Sequence, residues 1–224
     1  MKILPGDGYI VGSASDNGEL SIGGQCSFKG AISPNTGEAL TQFACARLNP
    51  ESFWIPGWSV PEIHFLYSWK CNISKGDFSY RYVNGDLEVV EFTEGKDDCE
   101  GFPYDDYPVL FDEVLLQLQR MTKEDQAVIS ELNKPDCDPD FKYDNNRAFE
   151  LSKPMHQLGG VPYLISPDDA VKDCPICGRE MFLVASIGNN SYSQNEGFSG
   201  NDFVQVVYWA CPECCVVSTR NFCD

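Results

Sequence analysis

Two short elements, Cys174-Pro175-Ile176-Cys177 and Cys211-Pro212-Glu213-Cys214, constrain this chain more than anything else in it. Thirty-three residues separate Cys177 from Cys211. Two residues between thiolates let one tight turn aim both sulfurs at a single point. Proline after the first cysteine fixes φ, and Gly178 permits the turn's return. Two such turns supply four soft ligands, the set that tetrahedral zinc takes. The intervening strand, loop and strand form a hairpin that brings the turns together. The expectation is a C-terminal zinc ribbon with an enlarged hairpin, holding one Zn²⁺ on Cys174, Cys177, Cys211 and Cys214. Four protein thiolates leave no position for water, so the ion is expected to be structural rather than catalytic. Disulfides within the pairs, a redox dithiol or iron on the same sulfurs are the competing readings. A redox motif needs only one pair, so the second weighs against it. Cys215 follows Cys214 directly, where glycine is usual, and competes as a ligand; spacing favours Cys214.

The rest of the composition narrows the setting. Of 224 residues, 34 are acidic and 16 basic, giving a formal charge of −18 with two histidines. Apolar residues make up 42%, which excludes wholesale disorder and suffices for a sizeable core. So negative a chain repels phosphates, which argues against nonspecific binding to nucleic acid or anionic membrane. The charge favours a basic partner, or solubility alone. Met1-Lys2-Ile3-Leu4-Pro5 breaks after two apolar residues, too early for an export signal. No run approaches the roughly 18 apolar residues of a membrane helix. A cytoplasmic, reducing setting is expected, in which eleven clustered cysteines hold metal more readily than disulfides.

Along the chain, residues 1–60 read as short strands joined by turns. Strands are expected at 63–69, 78–83 and 87–92, the last two joined by Asn84-Gly85, a strong hairpin signal because both residues tolerate positive φ. Residues 93–107 read as an acidic loop with Asp97, Asp98, Glu100, Asp105 and Asp106. A helix is expected from Pro108, since Leu110, Val114, Leu118 and Met121 recur at helical spacing. Thr122 and Asp125 resemble a capping box for a second helix that ends before Pro135. Residues 134–155 read as a connector, and 181–187 and 203–209 as strands. Residues 91–150 hold 17 of the 34 acids and six Lys or Arg, so charge concentrates there. Gly23-Gly24, Ala44, Trp69 and Cys71 recur in order and near-equal spacing as Gly159-Gly160, Ala185, Trp209 and Cys211, which suggests a degenerate duplication. The expected fold is α+β, mainly β: two β-rich repeats, a central acidic helical segment and the zinc ribbon. The boundaries are 1–107, 108–155 and 156–224, within one compact unit.

Other constellations fail. The Asp136-Cys137-Asp138-Pro139-Asp140 run opens like a calcium loop, but Phe141 stands where Gly is required and Arg147 where Glu binds. The Gly-Gly pairs lack the rest of a phosphate loop. His64 sits in an apolar strand and reads as a hydrogen-bonded packing residue; nothing in the sequence places a thiol beside His156. Cys26, Cys45, Cys71, Cys99, Cys137 and Cys223 read as buried or free thiols.

The stretch His156-Gln157-Leu158-Gly159-Gly160-Val161-Pro162, then Cys-Pro-x-Cys-Gly, Met181-Phe182-Leu183 and an aromatic strand ending in Cys-Pro-x-Cys, resembles the YwqG-like family of uncharacterised bacterial proteins. It is also similar to the C-terminal domain of the programmed-cell-death-protein-two family. The likeness covers residues 156–215 and extends more weakly to 20–92. It implies a duplicated β-rich fold and carries no established activity. Some YwqG-like proteins occur beside bacterial toxin genes, and the eukaryotic relatives are implied to chaperone a basic ribosomal protein. This chain lacks the zinc-finger module found in their other half. The functional expectation is a non-enzymatic, cytosolic, zinc-binding interaction module with an acidic surface for a basic protein partner, most concretely a toxin-neutralising immunity protein. The alternatives are a hydrolase-like enzyme using His156 or a free cysteine in a cleft between the repeats, and a ribosomal-protein chaperone.

Overall fold

Alternation of apolar and polar side chains marks several of this chain's strands. In Phe78-Ser79-Tyr80-Arg81-Tyr82 the three rings are buried while Arg81 turns outward to pair with Glu88 at 2.7 Å. The computed structural model describes residues 1–67, 77–93, 110–136, 141–188, 192–193 and 204–223. Among them the strands are β1 (Lys2–Ile3), β2 (Tyr9–Ala14), β3 (Leu20–Ile22), β4 (Thr41–Arg47), β5 (Glu62–Tyr67), β6 (Asp77–Val83), β7 (Asp86–Phe92), β8 (Val114–Arg120), β9 (Gln157–Leu158), β10 (Phe182–Ile187), β11 (Val204–Cys211) and β12 (Val216–Cys223). Two short helices, α1 (Lys123–Leu132) and α2 (Asn145–Leu151), lie between β8 and β9. The protein is mainly antiparallel β, as its sequence leads one to expect.

All the strands join one sheet in the order β5-β4-β3-β8-β2-β9-β10-β11-β12-β6-β7, with β1 pairing parallel to β10. The sheet curls until its first strand meets its tail. Tyr82 Oη accepts the His64 N–H at 2.8 Å, and Tyr80 Oη accepts the Leu66 N–H at 3.0 Å while donating to the His64 carbonyl. Two hydroxyls of β6 thus satisfy the backbone edge that β5 exposes. Between them lies the core, with Phe43, Phe65, Tyr80 and Tyr208 fully buried. Strand β11 is buried along its whole length, and it reads as an apolar run broken only by Gln205.

The helix expected from Pro108 is not formed: Val114–Arg120 is a strand. Its apolar positions fit both periods, and the sheet decides between them. β8 fills the slot between β2 and β3, with Leu116 opposite Leu20 and Leu118 opposite Val11. Leu110, assigned to the helix's apolar face, is 53% exposed. The central segment therefore contributes a strand and two short helices rather than an acidic helical block. The second expected helix is α1, and Thr122 Oγ1 accepts the Asp125 N–H at 3.0 Å as a side-chain N-cap. α2, inside the expected connector, is capped by Asp144, whose carboxylate accepts the Asn146 and Arg147 N–H groups. Strands β5, β6, β7, β10 and β11 fall where the sequence put them, and Asn84 and Gly85 turn with φ of 52° and 86°. The acidic positions from Asp97 to Asp106, with Trp69, Cys71, Cys99, Cys137, Asp138 and Asp140, lie outside the described residues.

Both Gly-Gly pairs are hydrogen-bonded to a neighbouring strand. Gly23 N–H donates to the Phe43 carbonyl at 3.0 Å, and Gly159 N–H to the Val184 carbonyl at 2.8 Å. All four glycines have φ between 60° and 75°. The register of β4 on β5 slips between Gln42 and Ala44, and that of β10 on β11 between Leu183 and Ala185. A Cβ on Gly160 would lie 2.7 Å from the Gly8 Cα, so chain approach as well as φ demands glycine there. Strands β8 and β2 pair with each other at the middle of the sheet, β8 continuing to β3 and β2 to β9.

Candidate metal centre

Each cysteine pair sits on a tight hairpin turn. The first turn, 174–177, is closed by Gly178 N–H to the Cys174 carbonyl and Cys174 N–H to the Arg179 carbonyl, both at 2.9 Å. Gly178 takes φ of 70°, the return the sequence asks for. The second turn joins β11 to β12. Because β10 and β11 pair antiparallel, with Phe182 opposite Ala210, the two turns arrive at the same end of the sheet.

There the Sγ atoms of Cys174, Cys177, Cys211 and Cys214 all lie within 4.8 Å of one another, and Cys177 and Cys211 are 3.8 Å apart. Sulfurs about 2.3 Å from a central ion at tetrahedral angles stand about 3.8 Å apart, so this is the spacing of a four-thiolate site. The quartet is compatible with a structural metal, and none of its four thiols is in a disulfide. Cys174 and Cys211 are buried against Met181, Leu183, Trp209 and Val216, while Cys177 reaches the surface. An Arg179–Glu213 ion pair of 2.9 Å ties the turns across the quartet.

The environment splits the thiols. The Arg179 backbone N–H and then its guanidinium pull the Cys177 thiol down to about 6, whereas burial pushes Cys211 up. Without an ion, Cys211 is therefore a thiol at neutral pH; a dication supplies the charge that deprotonates it. Cys215 does not join the group. With φ of 50° its side chain turns toward the Ser59 hydroxyl at 3.1 Å and the Pro212 carbonyl at 3.6 Å.

A second group escaped sequence reasoning. Cys45, Glu62 and His64 bring one ligand atom each within 4.8 Å of the others. Cys45 on β4 faces His64 on β5 across the ladder, and Glu62 shares His64's face two residues earlier. Cys45 Sγ lies 3.8 Å from His64 Nε2, and Glu62 Oε1 lies 3.1 Å from the same nitrogen. Burial lowers the His64 pKa against the pull of Glu62, and burial and then the Glu62 charge push Cys45 up. The trio borders a cavity of about 180 Å³ that Ser21, Glu113 and Arg47 also line. No local spacing signals this group, since only strand register unites Cys45 with His64. His156 lies elsewhere, 1% exposed, with its ring edge-on to Tyr192 at 5.0 Å. Cys26 is a half-buried free thiol, as is Cys45.

No helix among the described residues is long and apolar enough to cross a membrane. No family model, curated protein or solved structure matches the chain.

Proposed function

We propose that this chain is a non-enzymatic, zinc-braced protein-interaction module of the cytosol that presents acidic surface to a basic protein. The observation that carries the reading is the convergence of four thiols from two distant turns at the spacing of a closed tetrahedral site. A four-thiolate set with no oxygen or imidazole donor suits zinc, and a saturated ion does no Lewis-acid chemistry. Its binding free energy, about 10 kcal/mol or more in comparable small sites, would clamp the end of the β10–β11–β12 meander. Four thiolates on Zn²⁺ also add two negative charges to a chain already at −18.

Exposed carboxylates for a partner include Asp112, Glu113, Glu124, Asp136, Asp144 and Glu150, all within the acid-rich stretch 91–150. Complementary charge speeds encounter and makes affinity fall with salt. The most concrete version is an immunity protein that neutralises a basic toxin, in keeping with the YwqG-like resemblance; a chaperone of a basic ribosomal protein shares the charge argument. We also attribute the matched Gly-Gly hydrogen bonds and matched register slips to an ancestral duplication of the β-rich half. Affinity capture from lysate at low and high salt tests the partner. A basic protein retained at low salt and released at high salt is expected; absence of any such partner contradicts the reading.

A further inference from the structure

The hydrogen bonds around His64 fix its tautomer. Gln42 Nε2 donates to the Gly23 carbonyl at 2.8 Å, and a carbonyl only accepts, so the Gln42 amide nitrogen must point there. Gln42 Oε1 therefore faces His64 Nδ1, at 2.6 Å, and Nδ1 carries the proton. In the neutral ring that leaves a lone pair on Nε2, aimed at the Glu62 carboxylate 3.1 Å away and the Cys45 sulfur 3.8 Å away. A lone pair facing a carboxylate at a residue only 4% exposed is unfavourable unless a proton or a metal cation lies between them, and the Cys45 sulfur beside them supplies the third donor a metal would use.

We propose that Cys45, Glu62 and His64 form a second metal site for a divalent ion of the zinc class. One thiolate, one carboxylate and one imidazole are a borderline donor set that zinc accepts. Metal–ligand bonds of 2.0–2.3 Å at tetrahedral angles separate such donors by about 3.3–3.6 Å, close to the distances present. The Gln42 amide, itself held by Gly23, is the outer partner that orients a ligating histidine. On binding, the Cys45 proton leaves to solvent. Three protein ligands leave a coordination position open toward the polar cavity, where water or an exogenous donor completes the shell. The corresponding cross-strand pair beside the other Gly-Gly pair is Ser186 opposite Val207, both fully buried and unable to ligate in this way. The donors thus belong to one half only. This site rests neither on the four-cysteine quartet nor on the proposed partner.

The test is equilibrium dialysis against Zn²⁺, with metal per chain measured by mass spectrometry for wild type, Cys45→Ser and Glu62→Gln, and folding followed by circular dichroism. Glu62 is 35% exposed at the cavity rim, so Glu62→Gln preserves the fold even if Cys45→Ser does not. Wild type is expected to hold one equivalent more than Cys45→Ser, and Glu62→Gln to bind that equivalent at least tenfold more weakly. Equal stoichiometry and affinity in wild type and Glu62→Gln would overturn the site and leave a histidine–carboxylate ion pair in its place. Because the readout is a difference, failure of the four-cysteine quartet registers separately, in Cys177→Ser.

Discussion

Individual polar atoms decide whether this sheet can curl shut. Tyr80 Oη bonds both the Leu66 N–H and the His64 carbonyl from a fully buried position. Tyr80→Phe would leave both backbone groups without that partner, at a total cost of about 1–3 kcal/mol. Chemical denaturation should show an unfolding free energy lower by that amount, through a lower midpoint with little change in slope; a loss under about 0.3 kcal/mol would mean the closure does not depend on it. Cys214 and Cys215 are adjacent yet do different things. Cys214→Ser should lose the zinc equivalent and Cys215→Ser should keep it, read by metal analysis. The sequence favoured Cys214 on spacing alone, and the backbone supplies the reason: positive φ at Cys215 swings its sulfur toward Ser59. What no spacing could show is Cys45 beside His64, because 19 residues of chain say nothing about which strand positions face each other.

At the scale of elements, local signals were legible and register was not. Asn84-Gly85 specifies its hairpin through φ, and Thr122 caps α1 through one hydrogen bond; both act within four residues. Val114–Arg120 misled because Val114, Leu118 and Met121 satisfy a helical period while Leu116 and Leu118 satisfy a strand, and only the open edges of β2 and β3 choose. α2 was hidden because only Ala148 and Leu151 of its seven residues are buried. It is held instead by Arg147, whose Nε and Nη2 donate to the two Asp125 oxygens of α1 at 2.7 and 2.9 Å. Those bonds depress the Asp125 pKa, with burial opposing and Thr122 assisting. The clamp's stabilisation is therefore full above the ordinary carboxylate value near 4 and is lost as pH falls through the lower folded value. Asp125→Asn should cost about 1 kcal/mol at neutral pH, discounted for the solvent around Arg147, and should flatten the acid limb of the stability profile. An unchanged acid limb would remove Asp125 from the account.

Over the whole molecule, the metal centre is joined to the rest of the sheet on two sides, through β10 to β9 and β1 and through β12 to β6. β12 starts beside the second cysteine turn and pairs along its length with β11 on one side and, from Val216 to Arg220, with β6 on the other. Strands from all three sequence segments enter the same sheet, so loss of the ion should propagate beyond the C-terminal part. Cys211→Ser, or chelation of the wild type, should lower the melting temperature by ten degrees or more, on the order of what losing several kcal/mol does to a chain of this size. Thermal scans by circular dichroism with and without chelator check this; coincident curves would contradict a bracing role. The most direct measurement is X-ray absorption at the zinc edge on the Cys45→Ser protein, whose proposed second site has lost its thiolate. Four sulfurs at about 2.3 Å and no lighter atom in the first shell are predicted; an oxygen or nitrogen bonded to the zinc, or fewer than four sulfurs, would contradict a closed structural centre.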